Sequence, residues 1–146
     1  MNLTMQHIEN EDDSLALSVL ATGIEVGEKE YEIIDQTGEL KENAVHVLNY
    51  VPVNHEAKER FEMRFLSRPK LIEKEAGFIS IRVLRPITDN TYLILTQWET
   101  LEAFRDWQSS KAYQQAHKKR GTKEGLDKEK GVLSGKPYHH LYKTKR

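Results

Sequence analysis

Hydrophobic and polar residues alternate most clearly in AVHVLNYVPV, residues 44–53, which predicts a β-strand with two different faces. One face carries Val45, Val47, Asn49 and Val51, and the other carries His46, Leu48 and Tyr50. An amide among three valines is the exception in this pattern. A buried amide without a partner costs about 1–3 kcal/mol, so Asn49 must bond to backbone, water or a ligand. From composition alone, an asparagine that bonds loop backbone near a strand end explains this position at least as well as a ligand-binding asparagine does.

The pattern changes to helical spacing in NHEAKERFEMRFLSR, residues 54–68, where Asn54 is available as the N-cap. Two strands joined by a turn are predicted for residues 77–86 and 91–98. Thr100 is expected to cap a helix that runs to about Trp107. The sequence then predicts a second helical piece over 110–119, a glycine-rich loop over 120–136 and a strand over 137–144.

The element order from residue 44 is therefore β-α-β-β-α-β, which predicts an α+β fold of the ferredoxin-like type, with helices on one face of an antiparallel sheet. The preceding residues show strand-like runs at 2–8, 14–23 and 31–35, but no convincing amphipathic helix. We expect them to form an N-terminal β appendage, since so few short strands cannot bury a core alone. This divides the chain into residues 1–42 and a ferredoxin-like domain at 43–146.

Composition narrows the function. The 146 residues carry 22 Lys and Arg against 23 Asp and Glu, and this balance does not favour nucleic acid or an anionic membrane as a partner. The apolar runs are too short to span a bilayer, and the N-terminus does not resemble a signal peptide. Since cysteine is absent, disulfides, thiolate metal sites and cysteine nucleophiles are excluded. The expected location is cytoplasmic.

The segment FRDWQSSKAYQQAHKKR, residues 104–120, holds the candidate site residues Trp107, Tyr113 and His117. His117 is most simply a solvated histidine near a helix C-terminus, although one imidazole facing a flat apolar slot is also what an axial haem ligand requires. Trp107 is most simply a core residue. On one unbroken helix it would lie roughly 15 Å along the axis from His117. A break at Ser109–Ser110 would let both side chains reach one pocket.

The segments LNYVPV, FEMRF, GFISIRVLRP, YLILTQWET and AFRDWQSSKAYQQAHKKRG resemble the antibiotic-biosynthesis-monooxygenase (ABM) superfamily, and within it the IsdG-type haem-degrading monooxygenases. The resemblance implies a catalytic set of Asn49, Trp107 and His117, with His117 as the axial ligand of the haem iron and Tyr113 beside the haem. Haem would be both substrate and cofactor, and the protein would open the porphyrin with O2 and release iron. An external electron donor, a separate reductase, is then also required.

Three alternatives remain open at this point. The chain could be a non-enzymatic haem carrier or buffer, a signalling or stress protein that uses the ABM fold for protein contacts, or a monooxygenase without haem that acts on an aromatic polyketide. Single-domain members of the superfamily pair as dimers, so the resemblance implies either a homodimer or a monomer with two halves.

Overall fold

The computed structural model describes residues 1–110 and 131–145. Its strands are β1 Asn2–His7, β2 Ser14–Val19, β3 Gly23–Val26, β4 Lys29–Thr37, β5 Val45–Pro52, β6 Phe78–Pro86, β7 Thr91–Trp98 and β8 Tyr138–Thr144. Its α-helices are α1 Lys58–Leu66 and α2 Leu101–Ser109, and short 3-10 helices lie at His55–Ala57 and Ile72–Lys74. No helix in these two ranges is long and apolar enough to cross a membrane.

The described strands form one closed antiparallel barrel with the neighbour order β1-β2-β3-β4-β6-β7-β5-β8. The part β8-β5-β7-β6 has the strand order of a ferredoxin-like sheet, so the predicted mixture of helices and antiparallel strands is confirmed. The described sheet is not a simple ferredoxin-like sheet with an N-terminal β appendage, because the N-terminal strands are part of the closed barrel. Strand β4 pairs with β6, and β1 pairs with β8, so the N-terminal strands satisfy both edges of the ferredoxin-like sheet. The boundary between residues 42 and 43 stays a prediction.

The predicted strand at residues 14–23 is in fact two strands, because the chain turns back between them. The Leu20 amide donates to the Gly23 carbonyl across this turn, and β3 then runs antiparallel to β2. Gly23 is required where β3 meets β4, since a Cβ at this position would lie 2.0 Å from the Tyr31 carbonyl oxygen. A four-residue strand hidden behind a tight turn leaves little periodic signal in the sequence.

Alternation along the strands separates two apolar regions. The inner region fills the barrel and comprises Leu3, Met5, Leu17, Ile24, Val26, Tyr31, Leu40, Leu48, Leu84, Leu93, Leu95 and Tyr142. The outer face carries two clusters. One lies under α1 and includes Phe61, Val51 and Ile94, and the other lies under α2 and includes Val47, Trp98 and Phe104. The helices therefore cover one side of the sheet, as predicted.

The helix caps follow the sequence prediction only in part. The Thr100 side chain accepts a hydrogen bond from the Ala103 amide at 3.0 Å and begins α2 as expected. Asn54 precedes the 3-10 turn but makes no side-chain cap bond. Its amide nitrogen instead donates to the carbonyls of Gly131 and Leu133, at 2.9 Å and 3.3 Å. Asn54 thus ties the end of β5 to the segment that precedes β8.

Helix α1 is held to the sheet by a charged contact at the margin of its apolar face. The Glu62 carboxylate accepts hydrogen bonds from Arg85 Nε at 2.8 Å and from the Tyr92 hydroxyl. The hydrogen bond from Arg85 has the larger effect, and together with the bond from Tyr92 it holds the pKa of Glu62 below its usual value. The position of α1 on β6 and β7 is therefore fixed by polar contacts as well as by packing.

A buried polar network closes one end of the barrel. His46 is fully buried, and its Nε2 lies 2.9 Å from Thr144 Oγ1 while its Nδ1 lies 3.2 Å from the Gln97 side-chain nitrogen. Gln97 also bonds the backbone of Lys41 and accepts from the Ser80 hydroxyl at 2.7 Å. Burial opposes a charge on this ring and lowers the pKa of His46 to about 4.

We expect this histidine to make folding sensitive to acid. Its pKa is lower in the folded chain than in the unfolded chain, so the unfolded state binds more protons between about pH 6.5 and pH 4, and stability falls as the pH falls. By linkage, this group costs about 2 kcal/mol of folding free energy at pH 5. In urea titrations, wild type should lose more stability between pH 8 and pH 5 than His46→Gln loses. The surface variant His55→Gln should keep the wild-type slope, and equal slopes for wild type and His46→Gln would contradict the assignment.

Candidate functional site

Asn49 lies on the outer face of the sheet, at the boundary between the two helix-covered clusters. On its own strand it follows Val47, which packs under α2, and precedes Val51, which packs under α1. Its cross-strand neighbours are Ile94 on β7 and His139 on β8. The predicted face of Asn49 is therefore confirmed, and the amide lies between the two helices rather than beneath either one.

The Asn49 side chain is half-buried and makes no hydrogen bond to the rest of residues 1–110 and 131–145. The simpler explanation, an amide that bonds loop backbone at a strand end, finds no support among these residues. A half-buried amide without a protein partner is left to bond water or a ligand. A flat apolar ligand with a polar centre or edge fits these surroundings.

His139 extends the polar part of this surface. It is directly opposite Asn49 in the β5–β8 register, it is exposed, and its ring lies 6.2 Å from the Phe104 ring of α2 at an interplanar angle of 68°. We refer to Asn49, Phe104 and His139 together as the outer-face site. An amide, an imidazole and an aromatic ring are thus brought together by three different elements.

His139 was missed as a site residue in the sequence, although its neighbour pattern was predicted. The expected opposition of His139 and His140 across the strand is found: His140 lies on the side of Leu48 and contacts Tyr50 and His7. Only the register between β5 and β8 shows that His139 is the one beside Asn49. That register depends on pairing across 90 residues of sequence, which no local pattern contains.

Trp107 is near the outer-face site but is largely covered. Its indole is 5% exposed and packs with Val47, Trp98 and Phe104. The simple prediction of a core tryptophan is therefore correct for the chain as described. An indole in this position can contact a bound ligand only along its exposed edge or after a local movement.

The predicted break in the helix is present at Ser109–Ser110. Helix α2 ends at Ser109, and Ser110 has an extended backbone with φ −78° and ψ 163°. The Ser110 hydroxyl donates to the Trp107 carbonyl at 2.7 Å, which satisfies one of the last free carbonyls of the helix. The other predicted site residues, Tyr113 and His117, and the second helical piece lie outside the described residues, so their convergence with Trp107 stays a prediction.

No group of three or more metal-ligating side chains is found within residues 1–110 and 131–145. The outer-face site offers one exposed imidazole and one amide from the described part of the chain.

Comparison with known proteins begins with the family. The sequence model described as antibiotic biosynthesis monooxygenase (ABM) matches residues 44–119. This range covers β5 to α2 and contains all four residues predicted for the site, namely Asn49, Trp107, Tyr113 and His117.

The relatives carry two kinds of name. The chain is 33% identical over 66 residues to a mycobilin-producing heme oxygenase of Mycobacterium tuberculosis, covering 44% of this chain and 63% of that protein. It is 29% identical over 80 residues to the signal transduction protein TRAP of Staphylococcus epidermidis, covering 55% of this chain and 48% of that protein. The chain thus matches less than two thirds of the length of either relative.

A solved structure supports the fold. The heme-degrading enzyme LmHde of Listeria monocytogenes superimposes with a TM-score of 0.67 over 97% of this chain and 83% of its own, at 20% sequence identity. At this identity the likeness shows a shared fold. Because 97% of this chain superimposes, the shared fold includes the N-terminal strands.

If Asn49 is kept for a ligand, replacing it should stabilise the free protein. We expect Asn49→Val to raise the free energy of unfolding by about 1 kcal/mol, because valine matches the apolar face and removes an unpaired amide. The control is Thr96→Val on the same face. Thr96 accepts from the Trp98 indole nitrogen at 3.1 Å, so this change should destabilise by about 1–3 kcal/mol. Urea unfolding measures both changes, and destabilisation by Asn49→Val would show that the amide supports the fold.

Proposed function

Because the chain belongs to the antibiotic biosynthesis monooxygenase family, we propose that it is a haem-degrading monooxygenase that binds haem at the outer-face site and opens the porphyrin ring. The observation that carries this proposal is the Asn49 amide, which has no partner in the described chain and lies beside an exposed imidazole and an aromatic ring. The heme oxygenase of Mycobacterium tuberculosis, with 33% identity over 66 residues, supports the choice of haem as substrate.

Haem, when bound, would supply the iron at which O2 is reduced, and the protein would supply the position, the apolar surroundings and the hydrogen bonds. The Asn49 amide nitrogen would donate a hydrogen bond towards the reacting face, where it needs no reorganisation because it has no competing partner in the described chain. Phe104 and the neighbouring apolar side chains would exclude water from one side of the ring.

His117 would hold the haem iron through a neutral imidazole, and Tyr113 would pack beside the haem. Trp107 would contact the porphyrin from its place beside Phe104. His139, on the same surface as Asn49, would bond a polar group of the ligand and help orient it. Electrons would come from an external donor, a separate reductase.

A second candidate function is signalling through protein contacts. It is favoured by the relative named signal transduction protein TRAP, to which this chain is 29% identical over 80 residues. The two functions differ in whether hemin binds with one-to-one stoichiometry.

The first test combines hemin titration with turnover. We expect wild type to give a saturable Soret band and to lose it under ascorbate and air, with iron appearing in a ferrous chelator. His117→Ala should lose the Soret band, because the axial ligand is removed. Asn49→Ala should bind hemin but degrade it at least about tenfold more slowly, because an electrostatic contact in the transition state is lost. Trp107→Ala should also bind hemin and degrade it more slowly, because the packing contact that positions the ring is lost.

Three results would change this assignment. Stable hemin under reductant and air would indicate a carrier or buffer. A lack of stoichiometric binding would favour the signalling candidate. Bleaching that catalase abolishes would indicate unspecific peroxide damage, and normal turnover by all three variants would reject the catalytic set.

The adjacent histidines of β8 provide a matched test of which surface binds hemin. His139→Ala should weaken hemin binding about fivefold, the size of one lost hydrogen bond. His140→Ala removes an imidazole of the same exposure from the other face, where it contacts His7, and should leave the affinity unchanged. Spectroscopic titration gives both dissociation constants. Equal effects of the two variants, or a larger effect of His140→Ala, would exclude the outer-face site.

A further inference from the structure

The opposite side of β5 and β8 carries a second recess, at one end of the barrel, which the proposed function does not use. Its volume is about 260 Å³, and it is lined by Leu15, Lys29, Tyr31, Tyr50, Thr91 and Tyr138 together with neighbouring residues. We call it the tyrosine recess. Tyr50 lies on the even-numbered face of β5, and Tyr138 is its partner on β8. The sheet therefore separates these two side chains from Asn49 and His139.

Two of the tyrosines stack their rings on each other beside the recess. Tyr50 and Tyr138 are directly opposite in the β5–β8 register, and their rings are stacked with centroids 5.2 Å apart at an interplanar angle of 20°. Tyr138 is 49% exposed, so its ring is accessible to a ligand in the recess. Such a pair can pack a third planar ring against it.

The third tyrosine supplies a polar group at the recess. Tyr31 is 3% exposed, yet its hydroxyl has no hydrogen-bond partner within residues 1–110 and 131–145. Among the described residues the fully enclosed side-chain polar atom without a partner is Glu73 Oε2, so the Tyr31 hydroxyl is reached through the recess. The hydroxyl therefore remains available to an acceptor that enters the recess.

The charge around the recess limits what that acceptor can be. Burial first, and then the neighbouring Tyr50, Asp89 and Tyr138, raise the pKa of Tyr31, so its hydroxyl stays protonated and donates. Lys29 is paired with Asp89 at 2.6 Å, and Glu28 also lines the recess. An anionic ligand would meet Glu28 and would have to compete with Asp89 for Lys29, whereas a neutral carbonyl oxygen needs no cation.

We propose that the tyrosine recess is a binding site for a small neutral aromatic compound with a carbonyl group. Its ring packs against Tyr50 and Tyr138, and its carbonyl oxygen accepts a hydrogen bond from the Tyr31 hydroxyl. The volume is below the usual 300–1,000 Å³ range of pockets for drug-sized ligands, so the site fits a molecule with a single ring.

Three one-ring probes separate the contributions to binding. In titrations of the full chain followed by amide NMR spectra, 4-hydroxyacetophenone should cause saturable shifts around residues 31, 50 and 138. The compound 4-ethylphenol, which lacks the carbonyl, should bind about tenfold more weakly, the value of one hydrogen bond. The anion 4-hydroxybenzoate should also bind more weakly than the ketone, because of the carboxylates at the rim.

Two variants and one control assign the contacts. Tyr31→Phe keeps the ring and should remove the preference for the ketone over 4-ethylphenol. Tyr138→Ala changes an exposed position and should weaken the binding of both neutral probes. This variant provides the test if Tyr31→Phe folds poorly. Tyr92→Phe is the control, since its hydroxyl bonds Glu62 under α1 on the other side of the sheet. The proposal is overturned if no shift saturates, which would mean that water alone occupies the recess, or if Tyr31→Phe retains the ketone preference.

Discussion

Closure of the sheet is the constraint on which the other features depend. A ferredoxin-like sheet has two free edges, and each edge presents unpaired backbone donors and acceptors. Here β4 covers β6 and β1 covers β8, so one chain completes its own barrel. Once the barrel is closed, every strand has an inner and an outer face, and the outer face of β5 and β7 is left for the two helices.

This arrangement gives β5 and β8 two separate roles. Their outward positions hold Asn49 and His139 beside α2, while their inward positions hold Tyr50, Tyr138 and His140. Since neighbouring residues of a strand point to opposite faces, two adjacent histidines belong to two different surfaces. The proposed haem site and the tyrosine recess therefore share a backbone but no side chain. Substitutions on one surface can test it without altering the other.

Polar groups inside and outside the barrel differ in how completely they are satisfied. His46, Gln97 and Thr144 form a network in which both ring nitrogens of His46 have a partner, and such a network stabilises one end of the barrel. Asn49 and Tyr31 have none among the residues that the structure describes. The network stabilises the fold, whereas the half-buried Asn49 amide and the Tyr31 hydroxyl at the recess are left to bond water or a ligand.

Local pattern predicted much of the fold and one side of the site. The period-two alternation of residues 45–51 correctly placed Asn49 on an apolar face, and Thr100 correctly marked the start of α2. Local pattern failed for very short elements and for side chains that bond a distant segment. The four-residue strand β3 was hidden behind a tight turn, and Asn54, placed correctly before a helix, bonds the segment ahead of β8 instead of capping.

The sequence by itself determined which residues face each way along a strand, because that depends only on the local backbone period. It also carried the family resemblance, through Asn49, Trp107 and His117. Only the tertiary structure decided that the N-terminal strands close the barrel and that His139 lies opposite Asn49. Both facts depend on pairing between residues far apart in the chain, and a local sequence pattern does not fix which residues of two distant strands pair.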